Sequence, residues 1–394
     1  MIILTIIAVL AAVAGVVQLV RVFELTWKLK GDNQTSVDFA ENRTRGRLWG
    51  LFVLAYFGFF IYIAQKYSPF MLPEAASEHG AVIDTVLNFN FLIIIAVFVI
   101  THLILAYFTG KYYWRPGKRA EFVTHNNKLE LLWTTVPAIV LAVIIIYGLT
   151  AWNDITSEPS EDAIRIELYS KQFDWTARYA GSDNQLGEAN FNFIGGINAL
   201  GLVTKESIET RIAELEEEIA GLEAEVAEAP EGGLKEEEAS EKLDLRKRQL
   251  SKIYVHQYKY EQNAAPYNAG LDDKLVKVEF HIPVGKEVFF QFRSQDVIHS
   301  AYMPHFRAQM NTVPGEVTSF KFTPTITTAD MKLKTGNPDF NYILLCNKVC
   351  GAAHYNMQMD IIVESEADYN KWLGEQKTFA AVNTTTSDLA TISQ

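Results

Sequence analysis

Four long apolar runs occupy the first 151 positions, at residues 2–20, 48–64, 91–108 and 131–151. Each approaches or reaches the length that spans a hydrocarbon core. The pattern predicts four transmembrane helices, at about 2–20, 48–64, 83–108 and 128–151, in a membrane region covering 1–152. No basic residue precedes the first run, which argues against a cleaved signal peptide. Trp49, Trp133 and Trp152 fall at predicted helix ends, as interfacial aromatics do, and His102 inside the third run predicts a polar contact to a neighbouring helix.

Beyond residue 152 the period changes. Ile164-Arg-Ile-Glu-Leu-Tyr169 and Val276-Lys-Val-Glu-Phe-His-Ile282 alternate with period two, and Val288-Phe-Phe-Gln-Phe292 and Phe320-Lys-Phe-Thr323 resemble them. Short strands broken by Pro and Gly predict a Greek-key sandwich or barrel over 153–366. Between 181 and 273 that pattern is interrupted: Ile208, Ile212, Leu215, Ile219, Leu222 and Val226 form a heptad seam, and Ala239, Leu243, Leu250 and Ile253 repeat it loosely after a Pro-Gly turn. An antiparallel coiled-coil hairpin inserted over about 204–256 is expected, each arm of roughly twenty residues reaching about 30 Å. Residues 367–394 form a C-terminal segment and tail, polar and flexible after Lys377. The fold class is therefore membrane α plus β, four helices followed by a β domain carrying an α-helical hairpin.

Charge adds orientation. The connection after the first run carries Arg21, Lys28, Lys30, Arg43, Arg45 and Arg47, and that after the third carries Lys111, Arg115, Lys118 and Arg119. Both are expected on the cytoplasmic side, which puts the region after Trp152 outside. The chain has a formal net charge of −12, of which residues 205–252, with 15 acidic and 8 basic side chains, hold −7. Such a hairpin is either a solvated helix surface or a docking arm for another subunit. A lipid bilayer is a partner by composition, and nucleic acid is not.

The candidate chemistry lies in Cys346-Asn-Lys-Val-Cys350-Gly-Ala-Ala-His354-Tyr-Asn-Met357, which contains both cysteines of the 394-residue chain. Two cysteines in an exported domain commonly form a disulfide, but a histidine and a methionine at +4 and +7 suit copper. Structural zinc has no use for methionine, and a mononuclear blue-copper site would leave Cys346 idle. With His299 after the Val288 run, two thiolates, two imidazoles and one thioether suffice for two copper ions sharing both sulfurs. No Cys-x-x-Cys-His occurs, so covalent haem is not expected.

These residues carry a resemblance. The cysteine run, Asp296-Val-Ile-His299-Ser, Met310-Asn-Thr-Val-Pro314-Gly315 and Leu129-Glu130-Leu-Leu-Trp133-Thr-Thr-Val-Pro137 occur in the order found in subunit II of cytochrome c oxidase, and the match covers roughly 83–180 and 274–365. It implies a cupredoxin fold, with Cys346 and Cys350 bridging two coppers, His299 and Met357 completing one, and His354 with the Lys348 carbonyl completing the other. No catalytic residue is implied in this chain. The implied function is to take electrons from a c-type cytochrome, either free or held in a stable supercomplex, and pass them to haem in subunit I, where O2 is reduced to water and protons are translocated. Glu130 matches the glutamate at the cytoplasmic mouth of a proton channel. Lys348 replaces the family's magnesium-holding glutamate, which puts magnesium in doubt, and Phe173 replaces the tryptophan where electrons enter, two residues before Trp175. The implied location is a bacterial inner membrane with the copper domain on the periplasmic face. A quinol oxidase subunit would lack the ligands, a nitrous-oxide reductase would lack the helices, and a membrane-anchored copper carrier is the alternative from another class.

Overall fold

The computed structural model describes residues 2–29, 39–196, 198–230 and 232–381. Two compact units are present, one of residues 1–71 and 90–136, the other of 72–89 and 137–394.

Helices α1 (Ile2–Leu29), α2 (Phe39–Tyr67), α3 (Glu78–Lys111) and α4 (Asn127–Thr156) run past the apolar windows at one or both ends, because flanking polar residues join the helix. Trp49 consequently lies well inside α2 rather than at its end. Among the described residues three helices, not four, are long and apolar enough to cross a membrane: Phe39–Phe70, Glu78–Lys111 and Asn127–Thr156. The fourth expected span corresponds to α1, several of whose side chains lie outside the described residues. The three helices bury almost none of their apolar windows within the protein, leaving that surface for lipid. His102 differs from expectation too: its Nδ1–H donates to the Phe98 carbonyl of its own helix (2.8 Å), and α2 contributes the rings of Tyr56 and Phe57 around it.

The second unit is a β sandwich. One sheet has the order β3-β2-β1-β5-β8, from β1 (Ile164–Lys171), β2 (Asp174–Tyr179), β3 (Lys274–Val276), β5 (Val288–Ser294) and β8 (Thr318–Phe322). The other has the order β4-β10-β9-β6-β7, from β4 (Glu279–Pro283), β6 (His299–Met303), β7 (Ala308–Thr312), β9 (Tyr342–Cys346) and β10 (Gln358–Glu364). Alternating inward residues such as Phe290, Phe292, Phe320, Phe322, Leu344 and Ile361 fill the core between them. Helices α7 (Ala265–Asn268), α8 (Thr328–Thr335) and α9 (Glu366–Glu375) complete the unit. The run read as one strand over 276–282 is two, because Val278 adopts φ 76° and breaks the ladder between β3 and β4.

Helices α5 (Lys205–Glu228) and α6 (Leu234–Gln262) pack as an antiparallel hairpin, with arms of 24 and 29 residues. Thr204 caps α5 through a reciprocal box with Ser207. Ile208 and Leu215 of α5 meet Ile253 of α6 in a small core of their own. Across the seam Arg246 pairs with Glu218 (2.6 Å) and Lys247 with Glu223 (2.8 Å).

The root of this insertion is fastened by buried charge. Glu167, a polar position in the alternation of β1, is 2% exposed because the guanidinium groups of Arg178 and Arg293 enclose it. Arg178 also donates to Asp273 (2.7 Å) and to the Gly187 carbonyl (2.9 Å), and Arg293 to the Leu200 carbonyl (3.1 Å). Burial works against ionisation of both acids. Two guanidinium groups overcome it at Glu167 and hold that carboxyl below its usual range, whereas Asp273 shares one and is pushed up to about 6. At Gly187 the backbone passes so close to Gly270 that a Cβ would lie 2.2 Å from its Cα. Past Lys377 the chain is still tied down, since Phe379 is buried and its amide donates to the Asp273 carbonyl (2.7 Å). The rest of the expected flexible tail, 382–394, lies outside the described residues.

Candidate metal centre

Strands β6 and β9 are neighbours, with Ala301 opposite Cys346. This register brings His299, the first residue of β6, beside Cys346, the last residue of β9. The loop after β9 then turns Cys350, His354 and Met357 back under the same end of the sandwich.

His299, Cys346 and Cys350 are buried, and their ligand atoms lie within 4.8 Å of one another. The two sulfurs are 3.9 Å apart and both thiols are free, so the disulfide alternative is not what the structure contains. Cys346 Sγ lies 3.9 Å from His299 Nδ1 and 3.2 Å from the Lys348 carbonyl oxygen. Cys350 Sγ lies 3.6 Å from His354 Nδ1 and 3.9 Å from Met357 Sδ. Proximity thus groups His299 with Lys348 and His354 with Met357, whereas the resemblance pairs His299 with Met357 and His354 with Lys348. Because both sulfurs would be shared, the same six donors serve either pairing.

Sulfur, imidazole and thioether donors in one buried pocket fit copper better than the harder metals. Burial first, and then the neighbouring Cys346, raise the Cys350 thiol to about 11, so a metal binding to these sulfurs must displace protons.

Two residues hold this arrangement that the sequence reading did not assign. Asp296 accepts His299 Nε2–H (2.9 Å), which leaves Nδ1 as the lone-pair nitrogen facing the sulfurs. It also accepts the amides of Gln172 and Val297, both at 2.7 Å. Burial pushes the Asp296 carboxyl up, but these donors outweigh it and hold the group below its usual range. The Gln172 side chain donates from Nε2 to the Cys350 carbonyl (2.5 Å), tying the β1–β2 turn to the cysteine loop. At Gly351 a Cβ would sit 2.8 Å from the Phe173 ring, so that ring and the loop are in close contact. An aspartate three residues before a candidate histidine was the available signal for Asp296, while Gln172 needed the fold.

The other candidates lie elsewhere. Phe173 is half-buried against the core, and Trp175 is buried, its ring edge-on to His299 at 6.3 Å. Lys348 is exposed and offers the cluster its carbonyl. Glu130 lies in the first turn of α4, where its side chain accepts the Asn126 amide (3.1 Å) and Asn126 in turn accepts the Leu129 amide (3.1 Å), a reciprocal N-terminal cap.

Residues 65–151 match the model of the family described as cytochrome c oxidase subunit II, transmembrane domain. An alternative cytochrome c oxidase subunit 2 from Bradyrhizobium diazoefficiens is 29% identical over 318 residues, covering 80% of this chain and 88% of that protein. The chain is similar to cytochrome c oxidase subunit II. A cytochrome c oxidase subunit 2 from Thermostichus vulcanus is 23% identical over 314 residues, covering 79% of this chain and 80% of the relative. Among solved structures, the periplasmic domain of subunit II of cytochrome oxidase from Bradyrhizobium japonicum covers 55% of this chain and 94% of its own, at 14% identity and a TM-score of 0.26. Similarity to subunit II proteins thus includes residues 65–151 and covers 80% of the chain in the Bradyrhizobium diazoefficiens relative, and the relatives are subunits of an oxidoreductase.

Proposed function

We propose that this chain is the electron-accepting subunit of a terminal respiratory oxidase, holding two copper ions with His299, Cys346, the Lys348 carbonyl, Cys350, His354 and Met357. When bound, the copper pair would supply one-electron redox chemistry between a c-type cytochrome and haem in subunit I, where O2 reduction is coupled to proton translocation. The observation that carries this reading is the convergence of six such donors under one end of the sandwich. Asp296 fixes the His299 ring, Gln172 braces the cysteine loop, and burial of His299 and both cysteines keeps water from the donors. The lysine loops favour a periplasmic copper domain on a bacterial inner membrane. Lys348 offers no carboxylate for magnesium.

The test is EPR of the full-length chain in detergent after copper loading. A mixed-valence pair gives hyperfine structure from two equivalent nuclei. A single-copper pattern, or copper lost promptly to a Cu(I) chelator, would instead favour the membrane-anchored carrier.

Glu130 we assign to proton uptake on the cytoplasmic side. In the assembled oxidase, Glu130→Gln is expected to slow turnover about tenfold while leaving copper reduction by the donor unchanged, the scale of losing one proton-transfer group. An amide still accepts the Asn126 N–H, so the cap survives. Equal turnover when proton uptake is limiting would reduce Glu130 to a helix cap.

A further inference from the structure

The hairpin leaves the sandwich at the end where the membrane helices join it. Tyr179, the last residue of β2, lies opposite Ile166, and the Ala180 amide donates to the Arg165 carbonyl (3.2 Å), so the insertion departs beside the start of β1, which follows the end of α4 at Thr156. The start of α3 meets the same end. Ile164 is level with Val288 and Val288 with Phe322, and the Glu78 amide donates to the carbonyl of Thr323, the residue after β8 (3.1 Å). The bilayer surface therefore lies on the side of the sandwich where the hairpin is rooted.

The two arms carry different charge. Helix α5 holds nine acidic and two basic residues, whereas the root half of α6, residues 245–262, holds Arg246, Lys247, Arg248, Lys252 and Lys259 against Glu261 alone. Arg246 and Lys247 reach across the seam to Glu218 and Glu223. The other three do not. Leu245, Arg248, Lys252, Val255 and Lys259 follow a 3-4-3-4 spacing, which puts them on one helix face, all exposed and separate from the face of buried Ala239 and Ile253.

Among the described residues Arg248, Lys252 and Lys259 form no ion pair, although the hairpin is rich in carboxylates, and Arg248 donates to the Asp244 carbonyl of its own helix (3.2 Å). Glu261 falls on the opposite side of the helix, and Glu216 is held by the Tyr254 hydroxyl (2.8 Å). Asp244 and Glu241 mark where the basic face ends toward the tip. On and beside this face Leu245, Val255 and Tyr258 are 50%, 51% and 62% exposed. Unpaired cations interleaved with exposed apolar and tyrosine side chains are the pattern of a helix that lies on an anionic interface.

We infer that this face of α6 docks on the bilayer surface and recognises anionic lipid headgroups, with the acidic α5 arm and the hairpin tip kept away from the lipid by charge repulsion. The occupant is lipid because the hairpin is rooted at the end of the sandwich where α3 and α4 enter, so the face continues the surface that those helices cross. Charge agrees, since an anionic surface attracts each Lys or Arg near it and repels the carboxylates of α5. The inference stands apart from the copper reading, because none of the six proposed donors lies in the hairpin.

The test is the rate of lysine acylation, read by mass spectrometry, on the full-length chain in nanodiscs of phosphatidylcholine alone or in equal mixture with phosphatidylglycerol. In the mixed discs Lys252 and Lys259 are expected to react about tenfold more slowly, Lys235 at the start of α6 to change less than about twofold, and about 0.5 M salt to restore the rates. Val255→Glu keeps the helix, since the position is exposed and glutamate is a good helix former, and should abolish the protection by placing a carboxylate between Lys252 and Lys259. Equal rates in the two kinds of disc, or protection that Val255→Glu leaves intact, would overturn the inference. Protection just as strong in phosphatidylcholine and indifferent to salt would remove the anionic headgroup as the ligand, and protection found only in the assembled oxidase would give the face to a partner subunit; either result overturns it too.

Discussion

Cys346→Ser is expected to lower bound copper from two ions per chain to at most one, and to abolish the mixed-valence spectrum. Cys346 ends β9 with His299 Nδ1 and the Lys348 carbonyl beside its sulfur, and it is one of only two thiols available to bridge. A hydroxyl is a poor copper ligand, and one remaining sulfur cannot hold two ions close together. Serine is nearly the same size, so the sandwich should stay folded and the loss should register in metal content rather than in yield. Met357→Leu provides the contrast: both coppers should stay while the midpoint potential shifts, since a thioether is a weak axial ligand. Elemental analysis with EPR measures both variants, and two retained coppers in Cys346→Ser would remove the shared-sulfur assignment.

Arg178→Ala should destabilise the β domain by about 3–5 kcal/mol, the range for removing one partner from a buried ion pair. Its guanidinium serves Glu167 and Asp273 together, and alanine leaves Asp273 with the Gly187 amide (3.1 Å) as its other donor. A denaturant titration followed by tryptophan fluorescence would detect the change through buried Trp175. A loss under 1 kcal/mol would mean that the cluster merely fills space.

Asp273 adds a pH signature whose sign is unusual for a carboxylate. Its pKa is raised from 3.8 to about 6, so between those values the folded state holds the proton more tightly than the unfolded chain. Its contribution is therefore present below about pH 4 and is lost as pH rises through about 6. Glu167, with its pKa lowered, acts oppositely, losing its contribution only in more acidic solution. Asp273→Asn should remove the decline between pH 4 and 6 and leave the Glu167 acid limb in place.

The parts legible in the sequence were those set by local period. A 4-3-4-3-4 seam marks α5 because a helix exposes its packing face at that spacing, and Ile208 and Leu215 on the seam are its buried residues. The donor residues were legible because copper-binding side chains are chemically rare and four of them sit within twelve positions. The burial of Glu167 was not legible, because alternation cannot tell water from a buried counter-ion, and Arg178 and Arg293 reach it from β2 and β5. The break at Val278 was invisible for a related reason, since valine is a strand former and only the tertiary turn forces it to positive φ. Asp296 and Gln172 gain their roles from β-sheet register, which pairs positions far apart in the chain.

Strands β2 and β3 are adjacent and antiparallel, with Tyr179 directly opposite Lys274. Everything between them, residues 180–273, leaves the sheet and returns to it at a single point, where an ordinary β-turn would suffice. The hairpin is therefore a detachable cassette: a lineage could gain, lose or lengthen it in one event without moving a strand or a metal donor. The same topology offers a graft site, since a foreign domain whose termini lie close together could be spliced between Tyr179 and Lys274, at the end of β2 away from the β1–β2 turn that braces the cysteine loop.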